Sequence, residues 1–335
     1  MTGKTTFKST ARTVGGTSLR LGKKAFTDFR IPLLAIALYF VMGLNFPNFT
    51  SSYSMYSMAD SAASTGIAAL GFTFILLVGQ LDISFGSVIS LSSCVFMMML
   101  RDGQPFALAV VTALVVGCAC GAFTGFFVAN FRLSPFIVSM TMQLVYRGIA
   151  LTITDSTPVR CAKSDPILME MYKFRLFDIL PASFLLFIAL ALIVEFVLRK
   201  TQYGRNLYLV GGNINTADNL GLKANRYIWS AYILQGLFAA IAGIALMTRT
   251  FSSNGNIGAQ FLLNVIPPVI VGGTSMAGGK GGAIKTVFGV LLLTMVYNAM
   301  TYFSIPATLQ PFVKGLILAV VVVSDKYMER RHDKV

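Results

Sequence analysis

Apolar residues run through this chain in long blocks, neither alternating nor confined to one helical face. No Lys, Arg, Asp or Glu occurs from Ile31 to Ala59, Gly103 to Phe131, Ile179 to Val194, Tyr227 to Thr248, Thr250 to Gly279 or Thr286 to Val313. A helix needs about 20 such residues to cross ~30 Å of hydrocarbon. Helices apolar on every side cannot all be buried in a water-soluble fold of this size. The pattern predicts spans near 31–48, 58–79, 84–100, 106–129, 134–154, 180–198, 227–248, 259–274, 283–303 and 307–324. The expected fold class is an all-α integral membrane protein of about ten transmembrane helices.

Two places read as broken helix. Val78-Gly79-Gln80-Leu81-Asp82-Ile83-Ser84-Phe85-Gly86 puts polar residues and glycine between apolar runs, and the Gly-rich stretch 271–282 does the same. Paired interruptions of this kind accompany transport paths built from discontinuous helices. Backbone without helical hydrogen bonds at membrane depth must be covered by protein or line a wet cavity. Gly117, Gly121 and Gly125 fall on one helical face. Such a stripe lets helices pack closely; a gating hinge is the alternative.

Charge then orients the spans. The 335 residues are 55% hydrophobic and 12% charged, against about 25% charged in soluble domains. The formal net charge is +14, but it is not spread as nucleic-acid binding would need. Lys4, Lys8, Arg12, Arg20, Lys23, Lys24 and Arg30 form a basic arm over 1–30, and Lys326, Arg330, Arg331 and Lys334 a tail over 326–335. Arg199, Lys200, Arg205, Lys223 and Arg226 occupy the loop 199–226. With an even number of spans all three segments share one side, and basic segments mark the cytoplasm. The membrane domain then covers 31–325, with lipid around it. Segment 155–178 carries four basic residues on the other side, a mild conflict that its four acids do not remove. Cys94, Cys118, Cys120 and Cys161 form no disulfide framework and His332 is the single histidine, so a metal site or a His-based catalytic site is not expected.

Asp82 is the acid most expected at membrane depth, where a carboxylate costs about 2.5–3.5 kcal/mol. It either caps the broken helix and shapes a path, or caps a helix at the cytoplasmic interface; Ser84 can share the capping. Glu195 lies four residues before Arg199, so a local pair near the interface is expected. Arg147 and Lys314 fall inside spans and are expected to snorkel. The Gly-rich run is not a phosphate loop, because Thr274 and Gly281 stand where a glycine and a hydroxyl residue are required around Lys280. No nucleotide site is encoded, so any ATP hydrolysis must be supplied by another chain, and the chain itself is not expected to be an enzyme.

Four ordered segments resemble the permease family of bacterial ATP-driven sugar importers, the ribose, galactose and arabinose group within the branched-chain amino acid/sugar permease superfamily. Residues 79–87 resemble that family's Gly-Gly-Ile-Asp-Leu-Ser-Val-Gly-Ser, and 135–140 its Pro-Phe-Ile-Val-Thr-Leu. Residues 201–222 resemble its main cytoplasmic loop, and 271–281 its Gly-Gly-Thr-Ser-x-x-Gly-Gly-x-Gly element. The resemblance implies a permease dimer, homomeric or heteromeric, with a cytoplasmic ATP-binding-cassette ATPase and a periplasmic or lipoprotein solute-binding protein. It implies a coupling segment containing Gly204, Arg205, Gly211, Gly212, Asn213, Ala217, Leu220 and Gly221. Gly211-Gly212 is expected to turn tightly before Asn213 caps a helix. It also implies a translocation path near Gly79, Asp82, Ser84, Gly86, Gly272, Gly273, Thr274 and Ser275. No bound cofactor is implied. The family's Glu-Leu-Asp-Ala stretch is replaced by Phe261-Leu262-Leu263-Asn264 with Pro267-Pro268 behind it, which leaves the solute open. An ion-coupled secondary transporter is the alternative, and would need a charged relay from Asp82, Arg147 and Lys314.

Overall fold

The structure, a computed structural model, describes residues 31–160 and 165–332, with side chains as far as Val323. The basic arm over 1–30, Cys161 and the last three residues of the tail lie outside the described residues. Six helices are long and apolar enough to cross a membrane: α2 (Ser52–Leu77), α4 (Phe106–Phe131), α5 (Pro135–Ile153), α7 (Ala182–Lys200), α10 (Ala224–Thr250) and α12 (Ala283–Tyr302). Four more are apolar but shorter or only partly apolar: α1 (Ile31–Asn45), α3 (Phe85–Arg101), α11 (Phe261–Val271) and α13 (Gln310–His332). Together they account for the ten expected spans. Three short helices join them: α6 (Pro166–Lys173), α8 (Gln202–Gly212) and α9 (Ile214–Asn219).

α2 and α10 form the axis of the bundle and are its most enclosed long helices. Small residues bring their neighbours close. A Cβ on Gly66 would strike the Phe187 ring of α7, and one on Gly71 the Phe238 side chain of α10. The α4 stripe is a packing surface: a Cβ on Gly121 would run into the Tyr232 carbonyl, and one on Gly236 into the Gly117 carbonyl. Without a water-driven hydrophobic force between helices in lipid, this backbone proximity supplies the dispersion contact that holds them. Leu108, Val111 and Val115 on α4, Ile137 and Leu144 on α5, and Phe196 on α7 are exposed, as the lipid-facing sides of spans should be.

The first expected interruption is present. α2 ends in a pair of bonds, Gly79 N–H to Leu76 O at 2.9 Å and Gln80 N–H to Ile75 O at 3.0 Å, with Gly79 at φ +68°. That is the left-handed helix stop that glycine favours. α11 stops in the same way at Gly273, φ +93°, with Gly273 N–H to Ile270 O at 2.8 Å and Thr274 N–H to Val269 O at 3.2 Å. The two interruptions are therefore equivalent at Gly79 and Gly273.

A third irregular segment, 251–260, precedes α11 and overlaps the expected eighth span, 259–274, at two residues. α11 is only 11 residues long. Pro267 and Pro268 lie inside it rather than bending its entry. Pro267 has no N–H for the Leu263 carbonyl, and Tyr297 Oη donates to that oxygen instead at 3.2 Å. Segment 78–84 is held to α10, and segment 251–260 packs on the start of α3. Tyr232 Oη, roughly 12 Å along α10, donates to Leu81 O at 3.1 Å. Gly258 N–H donates to Ser90 Oγ at 2.9 Å, and Gly86 lies backbone to backbone against Gly258. The polar stretch 155–178 folds into α6 and two small ladders: β1 (Val159–Arg160) pairs with β4 (Ser252–Ser253), and β2 (Arg175–Leu176) with β3 (Leu180–Pro181).

Candidate translocation cavity and coupling seam

The loop 199–226 is two helices rather than one short one. Thr201 caps α8, accepting from Gly204 N–H at 3.2 Å. Gly204 makes the corner possible, since a Cβ there would collide with the Val197 and Leu198 carbonyls. Arg205 points out of the bundle and reaches only the Lys200 carbonyl, at 3.5 Å. Asn213 caps α9 as expected, accepting from Thr216 N–H at 3.0 Å. Ala217 is buried, Leu220 exposed, and Gly221 at φ +80° closes α9.

Gly211 and Gly212 do not form the tight turn expected of them; both lie within the helical span of α8, and neither has positive φ. Gly211 is needed for proximity. Its missing side chain admits the Leu77 carbonyl at the end of α2, and a Cβ would also stand 2.8 Å from Gly279 N. Gly279 N–H donates to that same Leu77 carbonyl at 3.0 Å. Gly278, at φ +88°, leaves room for Gly211 O and Gly79 N. The end of α8, the first interruption and the Gly-rich loop thus form one seam of bare backbone. Tyr208 Oη adds a bond to Gly281 O at 3.0 Å.

Glu195 does more than pair locally. It is buried, forms an ion pair with Arg199, and its Oε2 accepts Ile284 N–H at 3.1 Å in the first turn of α12. A carboxylate on orphan N–H groups at a helix start is favoured, so Glu195 ties α7 to α12 beside the seam.

Asp82 is buried, and its Oδ1 accepts both Ser84 N–H at 2.8 Å and Ser84 Oγ–H at 2.6 Å. It closes a turn just ahead of α3, whose N-cap residue Ser84 donates to Asp82 and makes no side-chain capping bond of its own, so neither residue caps the helix as expected. Gly272 allows close approach to Lys285 O on α12. Thr274 is fully buried, and Ser275 closes the Gly-rich loop by donating its N–H to Lys280 O at 3.0 Å. A charged relay is not assembled: Asp82 bonds Ser84, Arg147 bonds Asn256 at 2.6 Å, and Lys314 bonds Asn264 at 3.0 Å.

A polar cavity of about 530 Å³ lies between α2, α10, segment 251–260 and α11. Ser61, Ser64 and Thr65 of α2 line one wall, and Arg249 of α10 another. Asn254, Asn256, Gln260 and Asn264 line the rest together with Thr250 and the apolar Leu246, Ile257 and Phe261. None of the eight path residues expected from sequence lines it; they form the seam and the start of α3. The four amides were legible as a cluster, four carboxamides from 254 to 264 inside a charge-free block. What sequence does not reveal is that this loop turns back into the bundle. Asp60 is buried behind Ser61, with Oδ2 3.5 Å from Arg249 Nε and Oδ1 accepting Ser183 Oγ–H at 2.9 Å. Arg249 Nη1 donates to Ser61 Oγ at 2.8 Å.

Apolar helices around a polar cavity, with irregular backbone sealed by protein, define a multi-pass transporter subunit. Over residues 54–322 the sequence matches the family described as branched-chain amino acid transport system / permease component, and the chain belongs to that family. It is 29% identical to the ribose import permease protein RbsC of Bacillus subtilis, over 88% of this chain and 90% of that one. It is 31% identical to the probable ABC transporter permease protein YphD of Escherichia coli, over 90% of each. The autoinducer 2 import system permease protein LsrD of Photorhabdus laumondii is 26% identical over 94% of this chain and 95% of its own. A metal-chelate type ABC transporter solved in an inward-facing conformation has the same fold at TM-score 0.53 and 12% identity, covering 90% of this chain and 99% of that one. The chain is a multi-pass protein of the bacterial inner membrane and a permease component, not itself an enzyme.

Proposed function

We propose that this chain is the membrane-spanning subunit of an ATP-binding-cassette importer and carries a sugar or sugar-like solute inward by alternating access. A separate ATPase supplies the energy and a solute-binding protein delivers the cargo on the other side. Two permease chains, alike or different, complete the path. The observation that carries this reading is the seam: the end of α8 rests on the end of α2 and on the Gly-rich loop through close backbone contacts, to which Tyr208 Oη adds one side-chain bond. Motion of α8 is then transmitted without the slack of a flexible side chain.

α8 and α9 are the coupling segment, from Gly204 to Gly221. The surface offered to the ATPase is the exposed tip around Gly212, Ile214 and Leu220, where a Cβ on Gly212 or Gly221 meets nothing within 4 Å. This end and both basic termini face the cytoplasm. Glycine-permitted stops at Gly79 and Gly273 are the points about which the two interruptions move. The test is uptake by vesicles carrying the complete transporter. Solute accumulation should stop when ATP is withdrawn and persist when ion gradients are collapsed, and an ATPase should co-purify with the chain. Uptake that follows the ion gradient and ignores ATP overturns the reading.

A further inference from the structure

The cavity has a sense of polarity that its list of amides does not convey. Each of its three asparagines has its carbonyl oxygen already occupied. Asn254 Oδ1 accepts Asn256 N–H at 2.9 Å, Asn256 Oδ1 accepts Arg147 Nε at 2.6 Å, and Asn264 Oδ1 accepts Lys314 Nζ at 3.0 Å. An amide whose oxygen is used offers its NH₂ donors to whatever lies in front of it. None of these three NH₂ groups bonds to another described residue. Arg249 adds guanidinium donors, while Ser61 already accepts one of them. The wall is therefore rich in donors.

The charge points the same way. No carboxylate lines the cavity. Arg249 is on its surface, and Arg147 and Lys314 stand directly behind Asn256 and Asn264. Lys314 also sits over the Tyr297 ring, 4.7 Å from its centroid. Against these three cations stands one acid, Asp60, paired at 3.5 Å with Arg249 and shared with Ser183. Arg147 and Lys314 have no carboxylate within ion-pair distance among the described residues, so two positive charges remain uncompensated beside the cavity.

We infer that this cavity is the solute site and that its solute is anionic: a small polyhydroxylated molecule bearing a carboxylate or phosphate, of the sugar-acid or sugar-phosphate class. The anionic oxygens face Arg249 and the asparagine NH₂ groups, and the hydroxyls meet Gln260, Ser64 and Thr65. Lys314 and Arg147 are positioning residues. They turn the amides of Asn264 and Asn256 donor-side inward and bias the cavity toward an anion. This deepens the import reading and rests on it; an importer of neutral sugars would keep that reading and lose this one.

The test uses matched probes that share one ring. The full chain in lipid nanodiscs is examined by saturation-transfer NMR with D-galacturonate, D-galactose 6-phosphate and D-galactose, with no binding protein to impose its own selectivity. An anionic probe should bind at least about tenfold more tightly than D-galactose, and the stronger of the two anions identifies carboxylate or phosphate. Asn264→Asp, which keeps the shape and sets a carboxylate before Lys314, should abolish that preference while the thermal transition of the chain stays in place. Lys314→Met should weaken the anion by a larger factor than it weakens D-galactose. Equal or stronger binding of D-galactose overturns the charge assignment and leaves the importer standing. Binding of none of the three, or binding unaffected by Asn264→Asp, overturns the cavity as the site.

Discussion

Gly211 has no room for a side chain because the carbonyl of Leu77 occupies that space, and the N–H of Gly279 closes on the same oxygen at 3.0 Å. Three stretches more than sixty residues apart in sequence meet there as backbone. Gly211→Ala should cost about 1–3 kcal/mol through forced displacement of main chain, read as a lowered thermal transition in detergent. Gly212, next to it but open on its outer side, should tolerate Gly212→Leu without loss of stability. That variant should instead lower solute uptake per ATP hydrolysed. Equal stability of both variants would contradict the seam.

Glu195 separates two contributions. Glu195→Gln loses the charge paired with Arg199 and keeps an acceptor for Ile284 N–H. Glu195→Ala leaves that N–H without its partner, a loss of about 1–3 kcal/mol for a buried group. The alanine variant should unfold at clearly lower temperature than the glutamine variant, and the gap measures the helix-start bond rather than the ion pair.

At the other end, Asp60 holds Arg249 with a buried carboxylate, while the arginine side chain is about half exposed. Removing a partner from a fully buried pair costs roughly 3–5 kcal/mol, and this exposure places the expected loss below that range. Arg249→Met should destabilise more than Asp60→Asn, because only the former strands a charge in the interior. Thermal unfolding of the two variants checks the order.

The glycine stripe gives a control within the same bundle. Gly121→Ala should lower stability by about 1–3 kcal/mol, as its methyl group meets the Tyr232 carbonyl of α10. Gly148→Ala on α5 meets nothing within 4 Å. It should be neutral or slightly stabilising through helix propensity. Similar losses at both positions would mean that the stripe does not set the α4–α10 distance.

The spans were legible because lipid removes the usual ambiguity of apolar runs: a charge-free block such as 103–131 has one structural use. Gly79 was legible as a break for a local reason, the polar residues that follow it. Gly211 was misread because a glycine in sequence does not reveal whether it serves a positive φ or a close contact; the decisive atom, Leu77 O, lies in another helix. Segment 251–260 escaped for a similar reason. Its polarity resembles an ordinary surface connection, and its return into the bundle depends on pairing with Val159–Arg160, about ninety residues earlier. Asn264 was visible within the stretch 261–268 that departs from the family motif; its partner Lys314 was not, because nothing local links positions fifty apart.

The ladder between β1 and β4 has a mechanical consequence. Val159 is in register with Ser253, one residue from Asn254 on the cavity wall. The far rim of the protein, away from α8 and α9, is thereby stitched to the floor of the solute chamber by main-chain bonds. In the proposed importer, a solute-binding protein docked on that rim would shift the amide cluster directly, joining arrival of cargo and reshaping of its berth in a single movement.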